Sequence, residues 1–230
     1  MCQICECGDD FTSIENLQEL SCCDCPCLTS IPSTLDNLQR LSCSGCPRLT
    51  SLPSTLVNLR ILDCDNWPLL TSIPPTLVNL QTLKCYNCPR LTSIPSTLVN
   101  LQRLDCSHCP RLISIPPTLV NLQALDCREC PLLTSIPTTL VNLQSLYCGD
   151  CPRLTSIPRT LVKLYYLCFS GCPFVYIPRR YKNHKSPLPG RGIRDTVQRT
   201  RNQLARRSLL AHVLDSFLLP PLIRLTTKLV

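Results

Sequence analysis

The stretch LDCSHCPRL, residues 104–112, carries two cysteines three apart with a histidine between them. Near-copies recur as LSCSGCPRL at 41–49, LKCYNCPRL at 83–91, LDCRECPLL at 125–133 and LYCGDCPRL at 146–154. Working outward, Leu20, Leu41, Leu62, Leu83, Leu104, Leu125, Leu146 and Leu167 are spaced by 21 residues without an insertion. Two columns run beside them. The first holds Cys22, Cys43, Cys64, Cys85, Cys106, Cys127 and Cys148, then Phe169. The second holds Cys25, Cys46, Trp67, Cys88, Cys109, Cys130, Cys151 and Cys172. One unit reads LxCxxCPxLTSIPxTLVNLQx. A fixed period of this length is the mark of a stacked-repeat architecture, in which each unit buries its apolar face only against its neighbours.

Around Leu104-Asp105-Cys106-Ser107 apolar and polar residues alternate, which predicts a short strand with one buried face. Leu104 and Cys106 point inward, and Asp105 and Ser107 outward. The return path, Ile115-Pro116-Pro117 and Leu119-Val120-Asn121-Leu122, cannot be a regular central strand, because proline offers no N–H to a ladder. It is expected to be extended, turn or 3₁₀ structure. Eight rungs at roughly 4.8 Å predict a solenoid about 38 Å long.

This pattern resembles the leucine-rich repeat, L-x-x-L-x-L-x-x-N/C-x-L. Leu101, Leu104, Cys106 and Cys109 match its first four fixed positions, with cysteine at the third. Two residues, not one, then separate Cys109 from Leu112, a spacing similar to the cysteine-type variant. The TSIP and TLVNL half looks like the short repeats of bacterial effectors and plant receptors. The combination CxxCPxLTSIP looks most like the cysteine-rich repeat proteins of giant DNA viruses of the mimivirus type. The resemblance covers about residues 11–178. It implies an α/β-type repeat solenoid of mostly short parallel β-strands with an irregular or 3₁₀ convex side. The expected organisation is a degenerate N-terminal cap or partial repeat over 1–19, a solenoid of 21-residue units over 20–178, a basic linker over 179–192, and a basic, apolar helical tail over 193–230.

The cysteine pairs admit three readings: core packing, a zinc site, and a redox centre or cross-rung disulfide, for which parallel Cβ vectors make poor bridge geometry. Cys22, Cys25, Cys43 and Cys46 fit C-x₂-C-x₁₇-C-x₂-C, a spacing used by zinc sites. The same period, however, also governs the leucines, prolines and asparagines. The exceptions in the columns are Trp67 and Phe169, which fill a core and cannot ligate zinc. The residues read as structural core are therefore Leu41, Cys43, Cys46, Leu62, Cys64, Leu83, Cys85, Cys88, Leu104, Cys106, Cys109, Leu125, Cys127 and Cys130, with the thiols acting as small buried hydrophobes. No metal or other cofactor is expected on this reading. Cys2, Cys5 and Cys7, near Cys22 and Cys25, break the repeat phase and form the alternative metal set. His108 beside Cys106 and Cys109 raises a Cys–His nucleophile pair. The matching positions hold Gly45, Asn87, Glu129 and Asp150, so it reads as a variable, solvent-facing column.

Comparison of the units separates frame from free positions. The residues expected to project from the concave face vary, and the candidate partner-binding set is Arg40, Asp63, Asp65, Lys84, Tyr86, Arg103, Asp105, His108, Asp126, Arg128 and Tyr147. Solenoids commonly use such a surface for partners. Its acidic, aromatic character disfavours nucleic acid there, since phosphates would be repelled.

The 230-residue chain has 23 basic and 15 acidic residues, net +8. From Arg179 onward there are 12 basic and two acidic residues, so the excess positive charge lies in the tail. That tail suggests capping of the solenoid, membrane-surface contact or recruitment of a partner. It contains no cysteine, unlike the ubiquitin-ligase domain that follows similar repeats in some bacterial effectors. The first residues, MCQICECGDDF, lack the basic and apolar regions of a secretory signal. Twenty cysteines in such a chain are expected as thiols in a reducing compartment, the cytoplasm. No P-loop, Rossmann fingerprint, serine-nucleophile elbow or HExxH is present. The expectation is a non-enzymatic protein-interaction module with an unknown protein partner. The alternatives are a cysteine-pair zinc protein, or an adaptor whose C-terminal helix recruits a membrane or effector.

Overall fold

A unit of constant length stacks on its neighbour with no slip, so every position of the repeat meets the same position one rung away. The computed structural model describes residues 16–172. Within them eight three-residue strands follow at 21-residue intervals: β1 (Glu19–Ser21), β2 (Arg40–Ser42), β3 (Ile61–Asp63), β4 (Thr82–Lys84), β5 (Arg103–Asp105), β6 (Ala124–Asp126), β7 (Ser145–Tyr147) and β8 (Tyr166–Cys168). They form one parallel sheet in chain order. Leucine pairs with leucine at every step, from Leu20 with Leu41 to Leu146 with Leu167. The inter-rung ladder continues past the strands. Cys43 N donates to Asp63 O at 2.9 Å, and the Gln39 carbonyl accepts from both Arg60 N and Ile61 N.

The chain leaves the sheet through one left-handed residue in every rung. Asp24, Gly45, Asn66, Asn87, His108, Glu129, Asp150 and Gly171 all have φ between 53° and 77°. Six of the eight are Gly, Asn or Asp, the types that tolerate this region. The His108 column is therefore not simply the variable, solvent-facing position expected from sequence. The backbone conformation restricts which residues it holds. At Gly45 a Cβ would lie 2.1 Å from Asp24 Oδ1 of the rung below, so space as well as φ calls for glycine there.

Seven inward columns fill the core. In the rung that begins at Leu104 they are Leu104, Cys106, Cys109, Leu112, Ile115, Leu119 and Leu122, each at most 3 % exposed. Full burial of each leucine contributes about 1.5–3 kcal/mol. Trp67 is fully buried in the second cysteine column, and its indole N–H donates to Cys43 O, which removes the cost of burying a polar atom in a leucine core. The return path contains no helix among the described residues. The 3₁₀ component reduces to single turns such as Leu59 N to Leu56 O at 3.1 Å. Side chains supply the ladder there. Thr97 Oγ1 donates to Pro75 O at 2.6 Å and Asn100 Nδ2 to Val78 O at 3.0 Å. Prolines are tolerated because this side does not rely on backbone N–H groups to join the rungs. The first 15 residues of the expected cap and the tail lie outside the described residues.

Two stability predictions follow from the frame. Trp67→Ala empties the largest buried site and leaves the Cys43 carbonyl unpaired, so urea unfolding should show a loss of about 3–5 kcal/mol; a loss below about 1 kcal/mol would contradict the packing. Glu129→Asn places an αL-tolerant residue at a left-handed position and should raise stability by about 0.5–1 kcal/mol, read as a higher urea midpoint at unchanged slope.

Candidate interaction surface on the concave sheet

The surface is assembled by the register. Residues flanking each buried strand leucine project to the concave side, as do the residues two positions beyond the strand end's neighbouring cysteine step. Arg40, Asp63, Lys84, Arg103, Asp105, Asp126 and Tyr147 lie on the strands, Asp65, Tyr86 and Arg128 just past them, and His108 in the turn. All eleven are exposed or half-buried. Ser107 departs from expectation. It was expected to point outward, but it is fully buried, with its hydroxyl donating to Asp105 Oδ1 at 2.6 Å. A short polar side chain satisfied by its neighbour can be covered without cost to the frame.

The face is organised into small groups within and across the rungs. Lys84 Nζ reaches Asp63 Oδ2 at 3.2 Å. Arg128 holds Asp126 through Nε at 2.9 Å and Nη2 at 2.6 Å, and its guanidinium lies 5.6 Å from the Tyr147 ring centre. The paired fork both fixes Arg128 and keeps it charged. Tyr86 meets His108 edge to face at 4.8 Å, and His108 Nδ1 is 3.1 Å from Glu129 Oε2. Tyr147 stacks on Tyr166 at 4.6 Å. The surface is thus preorganised, with its side chains held by each other. Arg103, Asp65 and Asp105 form no ion pair among the described residues. Asp65 accepts a hydrogen bond from Tyr86 N at 2.8 Å. Burial pushes its carboxyl up to about 6; Asp63 and Asp105 push the same way, against the Tyr86 bond and Lys84.

The cysteine columns have a different task. Second-column thiols donate to the carbonyl of the first-column cysteine one rung below: Cys46 to Cys22 O at 3.0 Å, Cys88 to Cys64 O at 3.3 Å and Cys109 to Cys85 O at 3.2 Å. First-column thiols donate to carbonyls one rung above, as Cys85 does to Asp105 O at 3.2 Å. Burial holds the Cys43 and Cys64 thiols well above their ordinary range, and for Cys85 and Cys106 the hydrogen bond to Cys109 and Cys130, with burial, does the same. Metal ligation and nucleophilic attack both need thiolate. The protons of these four thiols are held, whereas the hydrogen bonds to Cys64 and Cys127 pull the second-column Cys88 and Cys151 thiols down. Among the described residues no group of three or more His, Cys, Asp and Glu is placed to hold a metal ion. Cys2, Cys5 and Cys7 lie outside them.

A second concavity was not anticipated. Along one flank an asparagine column from Asn37 to Asn142 and a glutamine column from Gln39 to Gln144 line a polar groove of about 770 Å³, with Arg60 and Lys163 as its cations. The asparagine amides are tied to the previous rung, as in Asn121 Nδ2 to Val99 O at 2.9 Å. The recurring VNLQ carried the signal, but a constant column reads as frame, and only the stacking reveals that its glutamine side chains border an open groove.

The class of fold these features define is a parallel-strand β-solenoid, and part of the chain matches leucine-rich repeats. The family model described as Leucine Rich Repeat matches residues 16–38, 37–59, 100–122 and 121–143. A comparison with curated proteins finds no match. Among solved structures, the chain is similar to the ectodomain of the Arabidopsis thaliana receptor kinase GASSHO1/SCHENGEN3 in complex with CASPARIAN STRIP INTEGRITY FACTOR 2, at 27 % identity and TM-score 0.53, over 76 % of this chain and 27 % of that one. It is also similar in fold to a plant ice-binding protein, at 22 % identity and TM-score 0.51, over 77 % and 76 %. A Leptospira interrogans LRR protein aligns at 25 % identity and TM-score 0.46 over 66 % of this chain; the chain spans about half of that protein's length, 48 %.

The Asp65 environment gives a pH prediction. Its folded pKa, about 6, lies above the ordinary 3.8, so the folded state binds the proton more tightly than the unfolded chain. The stabilisation is full below about 3.8 and is lost as pH rises through about 6. Asp65→Asn should remove this decline and be more stable at pH 7 by about 1 kcal/mol, after solvent screening of a half-buried group. A carboxyl carbon NMR titration with a midpoint near 4 would contradict it.

Proposed function

We propose that this chain is a non-enzymatic protein-interaction module that binds a protein partner on the concave sheet. The observation that carries the reading is the separation of a nearly invariant frame from a face whose residues vary between rungs and several of which are already held by mutual contacts. Preorganisation lowers the ordering cost of association, and Tyr86, Tyr147 and Arg128 are the residue types that anchor interfaces. The plant receptor ectodomain similar to this chain is in complex with a protein ligand, and repeat proteins of this class are generally not enzymes. The engaged cysteine protons support a structural role over the zinc reading. A reducing, cytoplasmic setting, and a source among giant DNA viruses, belong to the same proposal and rest on the many free thiols and on the sequence resemblance.

The test is a pull-down in reducing buffer with the full chain beside a version carrying Tyr86→Ala, Asp105→Ala and Tyr147→Ala. Loss of a captured protein by the triple variant, with an unchanged circular-dichroism melt, supports the concave face. Capture undiminished by the triple variant overturns it, and a partner lost only when residues after Pro178 are removed points instead to the adaptor reading.

A further inference from the structure

Charge is segregated around the solenoid. Among the described residues the strands and the turns that follow them carry eight acidic and four basic side chains, while the remainder carries one acidic and seven basic. Within the acidic side, Asp63 is matched by Lys84 at 3.2 Å, Asp126 by Arg128 at 2.6 Å and Glu19 by Arg40 at 3.4 Å. Asp65 and Asp105, on either side of Tyr86, have hydrogen bonds but no ion pair among the described residues, Lys84 and Arg128 being engaged with Asp63 and Asp126. The same chain supplies the complement. Residues 179–201 hold eight basic residues and one acidic one.

We infer that the basic segment 179–201 docks in cis along the concave sheet face, placing lysine and arginine side chains against Asp65 and Asp105. The geometry permits it. The described solenoid ends at Cys172 in the eighth rung, and Asp65 lies in the third, about 24 Å away at roughly 4.8 Å per rung. Six residues lie between Cys172 and Arg179, and an extended chain covers about 3.3 Å per residue. That length is enough to bring Lys182 and Lys185 to the strip. The opposite side, with its excess of arginine, repels the segment. Covalent linkage gives an effective concentration in the millimolar range, so even weak pairing populates the docked state. The contact lies on exposed charges and is sensitive to ionic strength. Its regulatory consequence rests on the function proposed above: a partner for this face must displace the segment. The docking itself does not depend on that reading.

Zero-length carbodiimide cross-linking of the full chain, mapped by mass spectrometry, tests the docking without any partner. Lys84 with Asp63 serves as the internal control, since they are already in contact. The expected result is cross-links from Lys182 or Lys185 to Asp65 or Asp105 in the monomer fraction at about 50 mM salt. They should fall about tenfold at 0.5 M salt, where screening is within a few ångströms, and disappear in the Asp65→Asn, Asp105→Asn variant. A control link with no tail link overturns the inference, as do tail links confined to a dimer fraction, which would assign the contact to a second copy. As an independent arm, a synthetic peptide of residues 179–201 should bind about tenfold more tightly to a full chain carrying Arg179→Gln, Arg180→Gln, Lys182→Gln and Lys185→Gln than to the native chain; equal affinity would mean the face is not occupied. Failure of the pull-down with success of the cross-link would remove the proposed partner and leave the docking in place.

Discussion

Everything in this molecule depends on the inter-rung ladder. Each turn of the solenoid hands its N–H and C=O groups to the next turn at the same residue, 21 positions on. Parallel strands of three residues are too short to persist as isolated pairs. They are held because eight of them share one register and because the ladder is extended by the Gln carbonyls before the strands and the cysteine N–H groups after them. A single inserted residue would put a whole column out of register with its neighbours, which is why the constancy of the period carries as much structural weight as the leucines.

The cysteines make sense as part of that ladder. A thiol is small enough to sit under the sheet and can still donate a weak hydrogen bond. The second column does so to carbonyls that the backbone leaves unpaired at the turn. Leucine would fill the space but offer no proton. Tryptophan at 67 satisfies both demands with a larger body and an indole N–H on the Cys43 carbonyl. The repeated C-x₂-C spacing is thus produced by the geometry of a turn, and its likeness to a zinc clip arises from the shared need to bring two short polar side chains to one point.

Rigidity of the frame and variability of the face are two results of one arrangement. Inward positions see the same surroundings in every rung, so the same residues recur. Outward positions on the sheet see solvent and each other, so they are free to differ, and neighbouring rungs bring them close enough to form pairs such as Lys84 with Asp63 and Tyr86 with His108. The turn column lies between these cases. Its side chains differ, but a φ near +55° limits them mostly to Gly, Asn and Asp.

The sequence by itself determined the period, the inward leucine and cysteine columns, the strand positions and the proline-bearing return path, because periodicity records which side of a chain is buried and needs no knowledge of distant contacts. Which outward residues would face solvent was only partly legible. Ser107 is fully buried, with its hydroxyl satisfied by Asp105 of the same rung, the left-handed column is invisible without backbone angles, and the asparagine–glutamine groove is formed by the stacking of seven rungs. Some pairing partners were decided by the tertiary structure: Lys84 reaches Asp63 across a rung, whereas Arg128 takes Asp126 two residues away in its own rung. Asp63, Asp65, Asp105 and Asp126 look equivalent in the sequence, yet only Asp63 and Asp126 form ion pairs, one across a rung and one within it, since a residue's electrostatic surroundings combine its own rung with the rungs above and below.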